Sequence, residues 1–315
     1  MIPLVSILIP TYKRAGYLRE ALQSAVSQTY SELEILILDD ASPDETAAVA
    51  AEFAADPRVC YIKHPRNLGI AGNWRAGIER TKGDFFCILH DDDTFEPSFV
   101  ESLLRPILVD PKQIVSFCDH WVMDAAGRRL AEASRDASRR FHRDTLLDGP
   151  LAEWAEFALV HAGVPVGATL FRACLVNPEF IDDRAKGAID LWLFYQCVKA
   201  GGAYYIDRRL MNYRLHPGGM SRNAALYMGD GHIFRARQIL ADAEMASLHP
   251  QIRRQLAATL TSYGIDLLVE GRLKEARTSL KEALSIEHSR RALVAYSLAC
   301  GGPLGVRAAK TMRAK

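Results

Sequence analysis

Strand-like and helix-like segments alternate through the N-terminal part of this chain, and that alternation restricts the folds open to it. The strand-like segments are continuous runs of Ile, Leu, Val and Phe, which are typical of parallel strands covered on both faces. We therefore predict an α/β domain with a mostly parallel sheet flanked by helices. The predicted strands are Val5–Ile9, Glu34–Leu38, Val59–Lys63 and Phe85–Leu89, and the predicted helices are Tyr17–Gln28, Asp44–Ala55 and Ala71–Arg80.

The polar residues of this half are concentrated just after predicted strands. Thr11 follows the first strand, Asp39 and Asp40 follow the second, and Asp91–Asp93 follow the fourth. Ligands of open α/β sheets bind outside the carboxyl ends of the strands. Three adjacent carboxylates repel one another, and a hard divalent cation that also holds a diphosphate would relieve that repulsion. A solvated acidic turn is the other interpretation of the same residues.

The middle of the chain, residues 97–222, is less regular, and we expect it to complete the sheet. Residues 128–143 are polar and basic, and we predict a loop there. The resulting division has an α/β half at 1–110, a second half of the same domain at 111–222, and a helical region at 223–315. The predicted helices are Phe99–Leu108, Leu151–Val160 and Asp190–Lys199, and the predicted strands are Ile114–Cys118, Val166–Phe171 and Tyr204–Ile206.

The predicted C-terminal helices carry small and apolar residues at the spacing of one tetratricopeptide-like hairpin. A single repeat cannot form a solenoid, so a plain helical appendage is the favoured interpretation. These helices are candidates for homo-oligomer contacts. The basic end of the chain leaves peripheral contact with anionic lipid open. The residues behind the repeat-like spacing are Leu260, Gly264, Gly271, Ala276, Leu280 and Ala283, and those of the basic end are Arg307, Lys310, Arg313 and Lys315.

Composition excludes several classes of protein. Among 315 residues, 39 Lys and Arg balance 38 Asp and Glu, which gives no field to attract nucleic acid. The six cysteines form no Cys-x-x-Cys pair, so we expect free thiols in a reducing compartment. We see no signal peptide and no apolar run near the ~20 residues of a membrane span. We therefore expect a cytoplasmic protein, with attachment to the inner membrane surface left open.

A nucleotide is the ligand that these strand ends suggest. Asp40 can accept the imide N–H of a uracil-type base, with Thr11 and Tyr12 beside the base. Uracil, thymine and guanine carry such a donor and cytosine does not, so a cytidine nucleotide is the least favoured. Asp39 is expected to cap the following turn. The segment from Asn67 through Gly69 opens a helix that can present backbone N–H groups and the Arg75 side chain to the ligand.

Taken together, these residues resemble the inverting glycosyltransferases of family 2, which have the GT-A fold. The resemblance covers residues 4–97, weakens beyond them, returns near Asp190 and at 213–221, and is absent after about residue 222. The matching segments are Val5-Ser6-Ile7-Leu8-Ile9-Pro10-Thr11-Tyr12-Lys13-Arg14, Ser27-Gln28-Thr29-Tyr30, Leu38-Asp39-Asp40-Ala41-Ser42-Pro43-Asp44-Glu45-Thr46, Asn67-Leu68-Gly69, and Asp91-Asp92-Asp93 followed by Pro97.

The resemblance implies a nucleotide-diphospho-sugar donor and a divalent metal, Mn²⁺ or Mg²⁺. It implies that 1–110 is the nucleotide-sugar-binding half and that 111–222 is the acceptor-binding and catalytic half of the same domain. It implies that Asp40 binds the base and that Asp92 is the main metal ligand. Asp91 and Asp93 would hold the ribose or support the site, and Asp93 is also a candidate metal ligand. His90 stands where the family often has an acidic residue, which leaves the ribose contact open or moves it to Asp91. The remaining candidate donor contacts are Pro10, Thr11, Tyr12, Arg14, Asn67, Gly69 and Arg75.

The resemblance also implies a catalytic carboxylate at the start of a helix in the second half, and Asp190 matches it. The family usually has Glu before that residue, where this chain has Ile189. A helix N-cap is the simpler role for Asp190. The segment 212–221 resembles the family's closing loop, in which His216 would complete the metal site and Arg214 would neutralise the diphosphate.

The sequence thus predicts an inverting, metal-dependent transferase that moves a sugar, most simply from a uridine donor, to a hydroxyl of a glycan or glycolipid. Such enzymes typically build bacterial surface polysaccharide. A sugar-phosphate nucleotidyltransferase is a rival, but it should have a Gly-rich loop after the first strand, where this chain has Pro10 through Arg14. A non-catalytic module that binds nucleotide-sugar or protein is the rival from another class.

Overall fold

The computed structural model describes residues 2–219 and 225–313. The chain divides into two compact units. The first unit comprises Met1–Ile181 and Leu193–Pro217, and the second comprises Asp182–Trp192 and Gly218–Lys315. The second unit therefore takes eleven residues from the middle of the chain, which the sequence assigned to the acceptor-binding half.

The first unit is built on a mixed, mostly parallel sheet, which in the described residues has nine strands. Strands β1 to β4 form a parallel set, β6 is parallel to β9, and the remaining pairs are antiparallel. The order is β3-β2-β1-β4-β8-β6-β9-β5, and β7 also pairs with β9. The strands are β1 Val5–Thr11, β2 Leu33–Asp39, β3 Val59–Lys63, β4 Phe85–Ile88, β5 Thr94–Phe95, β6 Gln113–Met123, β7 Gly149–Pro150, β8 Thr169–Arg172 and β9 Gly202–Arg214.

Helices cover both faces of the parallel set, as the continuous apolar strands require. Ile7 and Ile9 belong to the core cluster that includes Leu18 of the first helix. On the other face, Gly77 lies so close to Leu38 that an added Cβ would be 2.4 Å from its methyl group, and the Leu38 side chain would have to move to admit it. The helices are α1 Ala15–Val26, α2 Thr46–Ala51, α3 Gly69–Arg80, α4 Phe99–Val109, α5 Ala131–Arg140 and α6 Trp154–Leu159, with α7 Ile189–Ala200 beginning in the second unit and ending in the first.

Two predictions for the middle of the chain are wrong. The predicted loop at 128–143 contains helix α5, which attaches to β6 through serine hydroxyls rather than an apolar stripe. Ser134 Oγ accepts the Val122 N–H at 2.8 Å, and Ser138 donates to Asp119. The predicted short strand Tyr204–Ile206 is the beginning of β9, which continues past an irregularity in its pairing with β6 near Asp119 as far as Arg214.

The second unit is helical. Its described helices besides the first turn of α7 are α8 Ala225–Ala241, α9 His249–Glu270, α10 Leu273–Ile286, α11 Arg290–Cys300 and α12 Gly302–Arg313. Gly271 ends α9 with a φ of +83°, which favours glycine, and the chain reverses into α10 there. Gly264 lets α9 approach Leu280 of α10, because an added Cβ would lie 2.6 Å from it. Within the described residues, none of the helices has both the length and the apolar composition to cross a bilayer.

Candidate active site

Three parallel strands bring the polar residues to one edge of the sheet. β1 lies between β2 and β4, so Thr11, Asp39 and the residues after Ile88 emerge side by side. The Asp40 N–H donates to the Thr11 carbonyl at 3.0 Å and ties the first two strand ends together. The chain then turns sharply after β4, where the Asp93 N–H donates to the His90 carbonyl at 3.1 Å. The predicted clustering of these residues is confirmed.

Asp91 points back toward the end of β1. Its carboxylate accepts a hydrogen bond from Arg14 at 3.1 Å and one from the Tyr12 N–H at 3.3 Å. Burial raises the pKa of Asp91 to about 6, and the neighbouring Asp92 adds to this while Arg14 opposes it. The carboxylate is thus held by the segment that the sequence assigned to donor binding.

Asp92 is the most exposed of the three aspartates, with 14% of its side chain accessible. Its Oδ2 atom lies 2.9 Å from His216 Nε2 and also forms an ion pair with Arg14. Burial works against the charge of Asp92, but His90, Arg14 and His216 together lower its pKa below the ordinary value. The structure therefore brings together an ionised carboxylate, an imidazole and a guanidinium from three separate segments.

Asp93 turns away from this group. It is 1% exposed, and its oxygens accept the Arg214 N–H at 2.9 Å and contact His90 Nδ1 at 3.3 Å. The described residues contain no cluster of three or more His, Cys, Asp or Glu arranged to hold a metal ion. The predicted set of Asp92, Asp93 and His216 is therefore not assembled, because Asp93 is committed to the end of β9 and to His90. Asp93 acts as a support of the site.

The Arg214 side chain likewise binds other groups of the protein. Its guanidinium has no accessible surface, donates to the Asp92 and Ala125 carbonyls at 2.7 and 3.2 Å, and pairs with Glu20 at 2.6 Å. It offers no open face to a diphosphate, which is the contact predicted for it. Arg14 is the cation that meets the aspartates instead.

Sequence reasoning missed Tyr17, in the first turns of α1. Its ring centroid lies 4.8 Å from that of His216 and 4.9 Å from the Arg214 guanidinium carbon. Tyr17 thus braces both residues of the predicted closing loop. Its position three residues after Arg14 was the available signal, but an aromatic residue on a helix is ordinarily part of the core. The last two residues of that loop, Met220 and Ser221, lie outside the described residues.

Asp39 and Asp40 have separate roles. Asp39 accepts the Ser42 N–H at 2.8 Å, so the predicted cap of the turn is confirmed. Asp40 is 4% exposed, and its oxygens accept the N–H groups of Leu68 and Gly69 at 2.6 and 3.0 Å. Asp40 therefore fixes the loop at Asn67–Gly69, whose Asn67 amide in turn donates to the Asp40 carbonyl at 3.1 Å.

One further feature marks the strand ends as a ligand site. Lys13 and Ala41 have φ values of +57° and +60°, a backbone conformation that costs non-glycine residues free energy and that clusters at functional sites. The buried Thr11 hydroxyl lies beside Asp91 and helps to stabilise its charged form. Arg75 donates to the Ile181 carbonyl, and Pro10 is the one partly exposed residue of β1.

Asp190 lies in the second unit, in the first turn of α7. The Leu191 N–H donates to its Oδ1 at 2.8 Å, and the side chain is half-buried. The nearby Asp182 caps a short turn by accepting the Arg184 N–H at 2.8 Å, and Asp183 is exposed. Asp190 is therefore the carboxylate at the start of the helix, as predicted.

Comparisons with known proteins agree with this geometry. Residues 6–147 match the model of glycosyl transferase family 2. These residues belong to that family. An uncharacterized glycosyltransferase of Rickettsia prowazekii is 29% identical over 227 residues, which are 71% of this chain and 67% of the relative. The chondroitin synthase of Pasteurella multocida is 27% identical over 220 residues, 68% of this chain but only 21% of that protein.

Two solved structures share the fold of this chain. The Staphylococcus aureus TarS fragment 1–349 in complex with UDP-GlcNAc has a TM-score of 0.63 at 14% identity, covering 95% of this chain and 92% of the fragment. The mannosyltransferase PcManGT of Pyrobaculum calidifontis, in complex with GDP-Man and Mn²⁺, has a TM-score of 0.60 at 16% identity, covering 99% and 84%. These likenesses establish the GT-A fold.

Proposed function

We propose that this protein is a metal-dependent, inverting glycosyltransferase that moves a sugar from a uridine diphosphate donor to a hydroxyl acceptor. The observation that carries the proposal is the meeting of Asp92, His216 and Arg14 beside the ends of the parallel strands. Family membership supports sugar transfer as the activity.

The donor base is expected beside the ends of β1 and β2. Asp40 already accepts two backbone N–H groups, yet two carboxylate oxygens have about four acceptor positions, so an imide N–H remains within its capacity. The 41%-exposed Tyr12 ring is available beside it, and Thr11 ends the neighbouring strand. Binding of UDP-GlcNAc by TarS supports a uridine donor, and binding of GDP-Man by PcManGT makes guanosine the alternative.

The protein ligands available here suit a divalent cation only if oxygen atoms of the substrate complete its coordination. Asp92 Oδ2 and His216 Nε2 lie 2.9 Å apart, close enough for one ion to bind both. Oxygen and imidazole ligands suit Mn²⁺, and diphosphate oxygens would fill the remaining positions. Asp92 and His216 would hold the metal, which when bound supplies charge stabilisation to the departing diphosphate. Arg14 adds a fixed positive charge beside it.

Asp190 is the proposed general base. It accepts the proton of the acceptor hydroxyl as that oxygen forms a bond to the anomeric carbon. The bond from that carbon to the diphosphate oxygen breaks on the opposite side, and the nucleoside diphosphate leaves with the electron pair. One attack from the opposite side inverts the configuration. The resemblance of the segment around Asp190 to the family's catalytic helix supports this role.

The acceptor is proposed to be a glycan or glycolipid of a bacterial surface polysaccharide, made on the cytoplasmic side. The chondroitin synthase match supports polysaccharide synthesis, although this chain spans about a fifth of that relative.

The test is a thermal-shift panel of UDP, GDP, dTDP and CDP, each with and without Mn²⁺, followed by mass spectrometry of the preferred sugar nucleotide with hydroxyl acceptors. A ligand stabilises only the state that binds it, so we expect UDP to raise Tm only with metal. Stabilisation by GDP and by no other nucleotide would indicate a guanosine donor instead of a uridine donor. Binding without hydrolysis or transfer would favour a non-catalytic module, and no shift with any nucleotide would overturn the proposal.

A further inference from the structure

Helix α8 lies directly against the segment that leads to Asp190. A Cβ added to Gly231 would be 2.0 Å from the Ala185 carbonyl oxygen and 3.0 Å from the Ala188 nitrogen. No side chain fits there, so the two backbones touch at Gly231. An ion pair between Lys186 and Asp230 joins the same two elements. The position of Asp190, two residues after Ala188, is thus set by α8.

A second contact lies one turn further along α8. The Phe234 ring centroid is 5.2 Å from that of Trp192, and the Arg184 guanidinium carbon lies 4.7 Å from the Phe234 ring. Contacts on both sides of Asp190, at Ala188 and at Trp192, therefore come from one helix. A residue on the same face of α8 is placed to meet the Asp190 side chain.

Arg235 is that residue. It follows Gly231 by four positions, so it lies on the same face of α8. Arg235 is only 4% exposed, and a buried guanidinium needs a charged partner. Burial lowers the pKa of Arg235 to about 10, and the attraction of Asp190 opposes that shift.

The other charged groups around this face are engaged elsewhere or uncharged. Lys186 pairs with Asp230, which also accepts a hydrogen bond from Tyr263 of α9, and Arg237 pairs with Glu282 of α10. Arg184 pairs with Asp182. Burial, with the nearby Arg235, lowers the pKa of His232 to about 4, so this imidazole is neutral at pH 7. The attraction between Asp190 and Arg235 is therefore one of a single carboxylate for a single guanidinium on the face of α8 that packs against the Asp190 segment.

We propose that Arg235 is the positioning residue of the Asp190 base, an inference that rests on the proposed function. Its guanidinium keeps the Asp190 carboxylate ionised and limits its rotation, so that the base is ready when the acceptor hydroxyl arrives. A general base must be unprotonated and correctly oriented to act. The helical region thus contributes to the chemistry through one buried arginine.

The test compares Arg235→Met and Arg235→Lys with Arg237→Met, a matched control on the same helix whose arginine is 53% exposed. We expect Arg235→Met to lower kcat about tenfold or more and to move the acidic limb of the pH profile of kcat/KM to higher pH by about one unit. Arg235→Lys should restore the limb and part of kcat because the charge returns. Arg237→Met should resemble the parent, and UDP affinity should not change in any of them.

A double-mutant cycle separates this inference from the proposed function. In an Asp190→Asn background, Arg235→Met should cause no further loss of kcat, because Arg235 acts through Asp190. Additive losses, or an unmoved acidic limb in folded Arg235→Met, would overturn the positioning role. Near-full turnover of Asp190→Asn alone would instead overturn the base assignment. If Arg235→Met does not fold, the pH profile of Arg235→Gln is measured in its place.

Discussion

The two carboxylate sites of this protein are built in opposite ways. On the donor side, in the first unit, three adjacent aspartates are surrounded by cations, imidazoles and backbone N–H groups from several strand ends. In the second unit, Asp190 lies in the first turn of α7, and the buried Arg235 attracts it. The first site distributes its charge over partners from several segments, whereas the proposed role of the second rests on one arginine. We therefore expect substitutions in the first unit to weaken nucleotide binding and substitutions in the second unit to lower turnover.

The largest expected effect is on turnover. Asp190→Asn should lower kcat by about 10²–10⁴-fold, because an amide cannot accept the proton of the acceptor. Calorimetry should show unchanged UDP affinity. Asp183→Asn, a nearby exposed carboxylate, is the control and should keep full activity. Equal losses in both variants would contradict the assignment.

Asp92→Ala tests nucleotide binding in the first unit. We expect it to remove the part of the UDP affinity that Mn²⁺ provides, about 100-fold or more, since a bound metal contributes several kcal/mol. Titration calorimetry with and without Mn²⁺ measures this part directly. Asp136→Asn, whose side chain is 66% exposed, should leave both titrations unchanged. Metal-dependent affinity that survives in Asp92→Ala would place the ion elsewhere.

Substituting one glycine in each unit compares how sensitive the stability of the two units is to an added methyl group. Gly231→Ala should cost about 1–3 kcal/mol, because its Cβ would meet the Ala185 carbonyl at 2.0 Å and neither backbone can yield freely. Gly16 of α1 has nothing within 4 Å of an added Cβ, so Gly16→Ala should change stability by less than about 1 kcal/mol. Urea denaturation curves measure the free energy of unfolding of both variants. Equal midpoints would contradict the close contact at Gly231.

The smallest expected effect is on pH dependence. Burial, with Arg143 nearby, lowers the pKa of His120 to about 4. The unfolded chain then binds this proton more readily than the folded one, so stability is complete above pH 6.5 and falls as pH drops toward 4. The loss attributable to His120 should reach about 2 kcal/mol at pH 5. Urea midpoints at pH 7.5 and 5 should differ less in His120→Asn than in the exposed control His288→Asn, and an identical difference would contradict the prediction.

The sequence is informative wherever the signal is local. The parallel strands are continuous apolar runs, and the aspartates follow one of them directly, so both the sheet and the clustering of Asp91 and Asp92 could be predicted. Helix α5 could not, because its buried face carries Ser134 and Ser138, whose hydroxyls bond to β6, and serines do not register as an apolar stripe. The role of Asp93 was equally hidden, since its partner Arg214 is 121 residues away.

Arg235 shows the same limit more strongly. Nothing near position 190 in the sequence indicates a partner, and an arginine on a surface-type helix is usually solvated. Its burial depends on Gly231, which lets α8 come within backbone contact of the Asp190 segment. Only tertiary structure reveals that a small residue at one position places a charge at another.

The division of the chain has a consequence for how such proteins can be shortened or recombined. A chain that stopped at Pro217 would keep every described strand and the Asp92–His216 pair, but it would lack the whole of α8. We expect it to recognise nucleotide and to transfer nothing. Under the proposed function, sugar-nucleotide recognition would be inherited with the sheet, and the ability to turn that substrate over would be inherited with the helices that follow.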